Sequence, residues 1–325
     1  MAQAKQLRVL VCGATGFIGR NLVQSLSQQP DLDVHALRFS RPAYDAAGVT
    51  WLQADLRDAA AANAVVRGMD VVIQAAATTS GARDILATPY IHVTDNAVMN
   101  SLLLRACHDH KVGHFVFFSC SVMYQPRVSP WREEEWDASQ EMHLNYFGVG
   151  WTKVYIEKMC EFFSRLGVTK HTVIRHTNVF GPHDKFDLER SHVLGATVTK
   201  VMANRDGKVS VWGTGEEARD LIYVDDLVRF VELALRRQVT PYEMVHVSAG
   251  RAIAVRDLVR SVVMASGLDL LVEYDASRPT IKTSFALDNS RARELFGWKP
   301  EVSFDEGVRR TVQWWRRSLA GGRAP

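Results

Sequence analysis

The stretch Arg8-Val9-Leu10-Val11-Cys12-Gly13-Ala14-Thr15-Gly16-Phe17-Ile18-Gly19 decides how this chain folds. It begins as an apolar run without helical period, passes through glycines spaced three apart, and leads into a helical pattern over residues 21–26. A buried strand that turns directly into a helix through glycines is typical of dinucleotide-binding proteins. Gly13 permits the tight turn, Gly16 lets the backbone approach a pyrophosphate, and Gly19 lets helix and strand pack closely.

The segments that follow the glycines predict a parallel sheet. Residues 33–38, 50–56, 69–77, 115–121 and 172–176 have the apolar character of buried strands, and helical patterns separate them at 95–104 and 148–166. Strands that alternate with helices at this spacing predict an α/β fold of the Rossmann type, with a doubly wound parallel sheet.

Beyond residue 176 the regular alternation fails, and residues 178–184 are predicted to form a loop. We therefore expect a dinucleotide-binding domain at residues 1–180 and a smaller α/β substrate lobe at residues 181–325. Residues 221–245 are expected to return to the first domain.

The composition limits the class of protein. The chain has 325 residues, of which 47% are hydrophobic, and no apolar run approaches the length of a membrane span. The first strand begins at about residue 7, which leaves no room for a signal peptide and predicts a cytoplasmic protein. The four cysteines show no metal-like spacing, so no metal is expected. The net charge of +3 is too small to indicate a nucleic-acid partner.

The end of the second strand bears on the choice of cofactor. An acidic residue there would bind the ribose 2′-hydroxyl of NAD(H), and a basic residue would accept the 2′-phosphate of NADP(H). The chain has Arg38-Phe39-Ser40-Arg41-Pro42 at this place, without an acid. This favours NADP(H), with NAD(H) as the alternative. Asp55 ends the third strand, near the expected adenine, and the small residues 75–77 let the fourth strand run beside the cofactor.

Taken together, the motifs resemble the extended short-chain dehydrogenase/reductase superfamily, and within it the nucleotide-sugar epimerases, dehydratases and reductases. Two stretches, residues 181–193 and 211–215, are most similar to those of GDP-L-fucose synthases. The motifs that carry the resemblance are Gly13-x-x-Gly16-x-x-Gly19, Asp55-Leu56, the strand end from Ser119 to Tyr124, Trp151-Thr152-Lys153, Asn178-Val179-Phe180-Gly181-Pro182 and Arg219-Asp220-Leu221-Ile222-Tyr223-Val224-Asp225-Asp226.

The resemblance implies a set of site residues. Cofactor contacts are expected from Gly13, Thr15, Gly16, Phe17, Ile18, Gly19, Arg38, Asp55, Leu56, Ala75, Ala76, Ala77, Asn96, Lys153 and His176. Contacts with a nucleotide-sugar substrate are expected from Tyr124, Asn178, His183, Val193, Trp212, Arg219 and Lys282. Catalytic roles are expected for Lys153, Ser119, Cys120, Ser121, Tyr146 and His183. The resemblance also implies a homodimer, formed through the helices that include residues 95–108 and 149–166.

The chain departs from the family at the catalytic helix. The family places a tyrosine four residues before the lysine, where both share one helix face and the ammonium lowers the pKa of the phenol. Here that position is Val149, which carries no exchangeable proton. Tyr146, three residues earlier, is a candidate substitute, and the alternative is an aromatic residue that only packs at the helix entry.

The strand end also departs from the family, because its usual hydroxyl position falls on Cys120, between Ser119 and Ser121. Cys120 either faces the cavity or is a small buried apolar residue. His183 is assigned the role of acid in epimerisation beside a ketone, against a histidine that merely hydrogen-bonds the backbone.

Three functions remain open on this evidence. The first is an NAD(P)-dependent epimerase or epimerase/reductase that acts on a GDP- or UDP-linked hexose or 4-keto-6-deoxyhexose. The second is a catalytically degenerate dinucleotide-binding protein, such as a sensor or assembly partner, which Val149 favours. The third is a nucleotide-sugar dehydratase, which the lack of an Asp-Glu pair at the strand end disfavours.

Overall fold

The computed structural model describes residues 6–78, 88–188, 191–277 and 284–320. Its strands are β1 (Leu7–Cys12), β2 (Leu32–Arg38), β3 (Val49–Gln53), β4 (Val71–Gln74), β5 (His114–Phe118), β6 (Lys170–His176), β7 (Asn178–Phe180), β8 (Lys208–Trp212), β9 (Ala218–Tyr223), β10 (Tyr242–Val247), β11 (Ala252–Ala254) and β12 (Leu271–Asp275). Its helices are α1 (Phe17–Leu26), α2 (Ala59–Val66), α3 (Pro89–Asp109), α4 (Phe147–Ser164), α5 (Val193–Met202), α6 (Val224–Arg237), α7 (Val255–Ser266), α8 (Ser290–Phe296) and α9 (Phe304–Ala320).

A parallel sheet forms the centre of the molecule. Within the described ranges it has 7 strands in the order β10-β6-β5-β4-β1-β2-β3, and each neighbouring pair is parallel. The order reverses between β1 and β4, and ligands of open α/β sheets bind at the carboxyl ends of the strands beside such a reversal. The predicted Rossmann-type α/β fold is confirmed.

Side-chain alternation along the strands divides the core into two layers. In β1, Val9 and Val11 face a cluster that includes α1, α6 and α8, whereas Leu10 and Cys12 face a cluster that includes α2, α3 and α4. Successive side chains of a strand point to opposite faces, so a strand buried on both faces is apolar throughout. This explains why the first strand shows no period in the sequence.

A second lobe is built from the later part of the chain. Strands β11, β9 and β7 form one small sheet, β12 and β8 form another, and both surround a separate apolar cluster with α5, α7 and α9. The prediction of a loop over residues 178–184 was wrong at its start, because residues 178–180 pair in parallel with β9.

The chain returns to the first sheet after β9. Helix α6 packs in the cluster beside α1, and β10 pairs in parallel with β6 at the edge of the central sheet. Helix α8, at residues 290–296, joins the same cluster. The returning segment thus extends beyond residues 221–245, while the division of the chain at residue 180 stays a prediction.

Within the described residues, none of the helices combines the length and the apolar character that a membrane crossing requires.

Candidate active site

The glycine-rich turn between β1 and α1 forms a cradle of bare backbone. Gly13 has a φ of +73°, and a Cβ atom there would lie 2.7 Å from the backbone N and Cα of Ala76. A Cβ atom on Gly19 would lie 2.1 Å from the carbonyl oxygen of Gly13. Gly16 caps α1 without a side-chain hydrogen bond to its first amides. These amides are available to an anion at the positive end of the helix dipole, so the turn fits a pyrophosphate.

Thr15 lies in this turn, and Phe17 and Ile18 begin α1. Two further predicted cofactor residues follow β4: Ala75 lies beside the first glycine, and Ala77 continues the strand end. Asn96, on α3, accepts a hydrogen bond from the backbone amide of Thr78 at 3.0 Å and donates one to its carbonyl oxygen. The asparagine thereby fixes the chain that leaves β4.

The ends of β2 and β3 carry charged side chains. Arg38 ends β2, and its guanidinium donates to the carbonyl oxygen of Arg41 at 3.4 Å. Asp55 pairs with Arg57 at 2.8 Å, and this hydrogen bond lowers the pKa of the aspartate. Leu56 is buried beneath them. The carboxylate of Asp55 is therefore engaged by protein, while Arg38 remains near the surface.

Lys153 projects from α4 toward the end of β5. Its Nζ atom donates to the carbonyl oxygen of Phe118 at 2.7 Å and lies 4.7 Å from the ring centroid of Phe117. Burial lowers the pKa of the lysine, while the nearby Cys120 and Glu157 oppose this shift. Val149 precedes Lys153 by one helical turn, so the ammonium has an aliphatic neighbour where the family has a phenol.

The strand end beyond β5 separates into buried and accessible residues. Ser119 is 1% exposed and donates to Oε1 of Glu157 at 2.5 Å. Tyr124 is 4% exposed, and its hydroxyl is engaged by Arg175 at 2.7 Å. The roles predicted for these two residues stay predictions. Both hydroxyls form hydrogen bonds within a buried network.

Cys120 keeps some solvent access between them. Of the four cysteines, all of which lie in the described ranges, the other three are buried. Burial raises the pKa of the Cys120 thiol, and the charge of Lys153 lowers it. Ser121 is nearly buried and uses its carbonyl oxygen to accept the amide of Tyr124 at 3.2 Å. A neutral thiol beside the lysine ammonium thus occupies the position of the family's hydroxyl.

Three polar side chains from separate elements feel the charge of Lys153 or of Arg219. Tyr146 immediately precedes α4, and its pKa is raised by burial and lowered by the charge of Arg219. Burial also lowers the pKa of His192, and Lys185 and Arg219 lower it further. His176 has a pKa lowered to about 4, by burial first and also by the charges of Lys153 and His192.

His192 was missed by the sequence reasoning. It caps α5, remains solvent-accessible, and is followed directly by Val193, which was predicted as a substrate contact. The motif Ser191-His192-Val193 contained the signal, but no pattern in the sequence distinguishes this histidine from His183.

His183 lies beside α1, since Asn21 on that helix donates to the carbonyl oxygen of Pro182 at 2.9 Å, and its catalytic role stays a prediction. Its φ of +68° places it in the left-handed region, and its ring packs edge-on against Trp314 of α9 at 4.9 Å. Burial lowers its pKa to about 4, and the charge of Arg20 on α1 contributes. Its described neighbours are therefore α1 and α9, whereas His192 shares the region of Arg219 and His176.

Three more residues that were predicted to contact substrate lie on β7, β8 and β9 of the second lobe. Asn178 donates to the carbonyl oxygen of Asp220 at 3.4 Å. Trp212 ends β8 and is 53% exposed. Arg219, on β9, donates to its neighbour's carbonyl oxygen at 2.8 Å. Lys282 lies outside the described residues.

A groove with a volume of about 740 Å³ lies beside residues 140–144, just before α4. Met142 and His143 belong to its lining. The ring of His143 lies 5.7 Å from that of Tyr146, and a Cβ atom on Gly150 would lie 2.4 Å from the sulfur of Met142. The groove thus borders the first turn of α4, where Val149 also lies.

Comparisons with known proteins agree with this geometry. Residues 9–248 match the model of the NAD dependent epimerase/dehydratase family. A dTDP-4-dehydro-6-deoxy-D-allose reductase of Streptomyces sp is 28% identical over 318 residues, which cover 95% of this chain and 96% of the relative. A GDP-L-fucose synthase of Azorhizobium caulinodans is 27% identical over 317 residues, covering 96% and 97%. The crystal structure of UDP-glucose 4-epimerase from Thermotoga maritima with UDP-glucose has a TM-score of 0.83 and 26% identity, and the alignment covers 96% of this chain and 100% of the other.

Proposed function

The chain belongs to the NAD dependent epimerase/dehydratase family, as its motifs predicted, and we propose that it is an epimerase/reductase of a nucleotide-linked 4-keto-6-deoxyhexose. The similar proteins named above are a reductase of a 4-dehydro-6-deoxy sugar and a GDP-L-fucose synthase, and we favour a GDP-linked substrate. One observation supports the proposal most strongly: Lys153 reaches the end of β5, where its Nζ atom donates to the carbonyl oxygen of Phe118 at 2.7 Å and its charge lowers the pKa of the Cys120 thiol against the effect of burial.

NADP(H) is the cofactor that we favour. The glycine cradle fits the pyrophosphate, since a Cβ atom at Gly13 or Gly19 would fill it. Arg38 stands where the 2′-phosphate of the cofactor would lie, and residues 38–42 include no acid to repel it. The ammonium of Lys153, which has two further donors besides the one bound to Phe118, would bind ribose hydroxyls. When bound, the nicotinamide ring supplies the hydride for reduction at the sugar carbonyl.

Proton exchange must use groups other than residue 149. Tyr146 is the candidate donor to the sugar oxygen, because its phenol lies within the influence of Arg219, whose positive charge stabilises a phenolate. His192 is the candidate acid and base for the carbon next to the ketone, since burial and Arg219 keep its imidazole neutral. The thiol of Cys120 can hydrogen-bond the same sugar oxygen from the strand side.

The test is turnover of GDP- and UDP-hexoses and their 4-keto-6-deoxy forms, with and without NADPH. The cofactor is followed at 340 nm and the sugar by NMR. We expect NADPH consumption with a GDP-linked 4-keto-6-deoxyhexose. An altered sugar without net NADPH oxidation would instead show an epimerase alone, and loss of water would show a dehydratase. Tight cofactor binding without turnover of any sugar would favour the non-catalytic dinucleotide-binding protein.

Three variants separate the candidate donor from general damage. Tyr146→Phe should lower turnover by about 10²-fold or more, as expected when a general acid–base is removed. Tyr155→Phe is the matched control, because this phenol lies on the same helix and is 49% exposed. His192→Gln should abolish exchange of the proton beside the ketone and leave NADPH binding unchanged. Unchanged turnover in Tyr146→Phe would remove that residue from the mechanism.

We also propose that the protein is a homodimer. Helices α3 and α4 pack side by side, and their outer surfaces expose Val98 at 46%, Phe147 at 57% and Phe162 at 58%. Exposed apolar side chains grouped on neighbouring helices indicate a protein interface. Phe162→Glu should convert the protein to a monomer in sedimentation, and a monomeric wild-type protein would contradict the proposal. A cytoplasmic location stays a prediction.

A further inference from the structure

Six buried side chains form one continuous hydrogen-bonded network behind the strand end. Glu157 on α4 accepts hydrogen bonds from Nε and Nη2 of Arg175 at 3.0 and 2.6 Å, and from Oγ of Ser119 at 2.5 Å. The third nitrogen of Arg175 donates to the hydroxyl of Tyr124 at 2.7 Å. Each of these four residues is at most 4% exposed.

The network continues through His246 and fixes its tautomer. The hydroxyl of Tyr124 accepts from Arg175, which only donates, so its own proton points to Nε2 of His246 at 2.5 Å. Nδ1 of His246 therefore carries the imidazole proton and faces the carbonyl oxygen of Asp288 at 3.2 Å. Glu133 accepts the backbone amide of His246 at 2.7 Å. Every member has a defined donor or acceptor role, which makes the network rigid.

We propose that the Glu157–Arg175 ion pair is a positioning clamp, which holds both ends of the segment 119–124 and thereby places Cys120 against Lys153. Ser119 is bound to the glutamate and Tyr124 to the arginine, so the residues between them span a fixed distance. Ser119 also continues the β5–β6 ladder, with its amide donating to the carbonyl oxygen of Ile174 at 2.8 Å. The clamp deepens the proposed function, because it positions that site.

The same pair also sets the charge around the site. Glu157 follows Lys153 by four residues on α4, so the two side chains share one helix face. The carboxylate supports the charged form of Lys153, opposing its burial. It raises the pKa of the Cys120 thiol, whereas Arg175 lowers it. Removal of the carboxylate alone should therefore leave an uncompensated guanidinium that favours the Cys120 thiolate.

Alkylation of Cys120 by iodoacetamide measures this effect without any substrate. The other three cysteines are buried, and mass spectrometry identifies the labelled peptide. In Glu157→Gln, the pH midpoint of alkylation should fall by about one unit, which makes alkylation about tenfold faster below the midpoint. Ser119→Ala keeps both charges, so it should leave the midpoint in place and raise amide hydrogen exchange over residues 119–124 at least threefold.

Glu243→Gln is the matched control. Glu243 lies on β10, is 6% exposed, and pairs with Arg291 at 2.7 Å away from the strand end. It should change neither the alkylation midpoint nor the exchange over residues 119–124. The clamp is refuted if Glu157→Gln behaves like this control. If Glu157→Gln does not fold, unchanged exchange in Ser119→Ala refutes it. Because no sugar is needed, failure of the proposed reaction would leave this test intact.

Discussion

The glycine turn at residues 12–19 and the strand end at residues 119–124 both lie at the carboxyl edge of the central sheet, but they are built in different ways. The turn works through bare backbone, and its shape follows from glycines that are neighbours in sequence. The strand end works through side chains that depend on Glu157, Arg175 and His246, which come from three other elements. The shape of the turn is therefore set mainly by residues that are neighbours in sequence, whereas the strand end depends on side chains from distant parts of the chain.

The largest expected effect tests whether the turn depends on backbone space. Gly13→Ala should weaken NADPH binding more than about 100-fold, because the new Cβ would lie 2.7 Å from Ala76 and force the two segments apart. Gly48→Ala is the control: its φ of +71° is similar, but no atom lies within 4 Å. That variant should only lose about 1–3 kcal/mol of stability through strain. Fluorescence titration and urea unfolding measure both, and equal NADPH affinities would contradict the steric argument.

The second prediction concerns the dependence of the strand end on buried charge. Arg175→Met should lower the free energy of unfolding by about 3–5 kcal/mol, because it leaves the carboxylate of Glu157 buried and unpaired. In the nucleotide-binding half, the pair Arg236–Asp31 is about half exposed on both sides. Its removal in Arg236→Met should cost less than about 1 kcal/mol. Chemical denaturation of both variants measures the two losses of unfolding free energy. Equal losses would contradict the claim that the strand end depends more strongly on its ion pair.

The third prediction concerns cofactor choice at the rim of the turn. Arg38→Ser should raise the Kd for NADPH about tenfold and leave the Kd for NADH unchanged, since only NADPH carries the 2′-phosphate that the guanidinium would bind. Arg41→Ser is the neighbouring control for a general loss of positive charge. An equal loss of affinity for both cofactors would show that Arg38 does not select between them.

The fourth prediction is a difference in acid sensitivity at the strand end. Burial lowers the pKa of His246 to about 3, below the value of about 6.5 in an unfolded chain. Its folded-state pKa is depressed, so the unfolded chain binds the proton more tightly, and the stability that His246 provides is lost as the pH falls below about 6.5. Between pH 6 and 4, the wild type should lose about 1.4 kcal/mol per pH unit more than His246→Gln. Urea unfolding across this range measures the two slopes, and parallel slopes would contradict the assignment.

The sequence predicted the doubly wound parallel sheet, the glycine-rich turn and the family, because these follow from short-range patterns. Alternating apolar segments and glycine spacing require only neighbouring residues to be read together. It did not show the buried network, because nothing in the motifs of Ser119 and Tyr124 indicates that Glu157 and Arg175 hydrogen-bond their hydroxyls. It also could not show that the ring of His183 packs against Trp314, because motif likeness says nothing about tertiary contacts.

By itself, the sequence determined where the phosphates of a dinucleotide would lie and that residue 149 cannot exchange a proton. Both conclusions depend on what a residue lacks, a Cβ atom in the first case and a titratable group in the second. The residue type alone shows that such a group is missing, so the fold is not needed to recognise it. Only the tertiary structure decided which of the remaining polar groups reach the site. Tyr146 and His192 come from segments far apart in the chain, and only the folded chain brings both within the influence of Arg219 on β9.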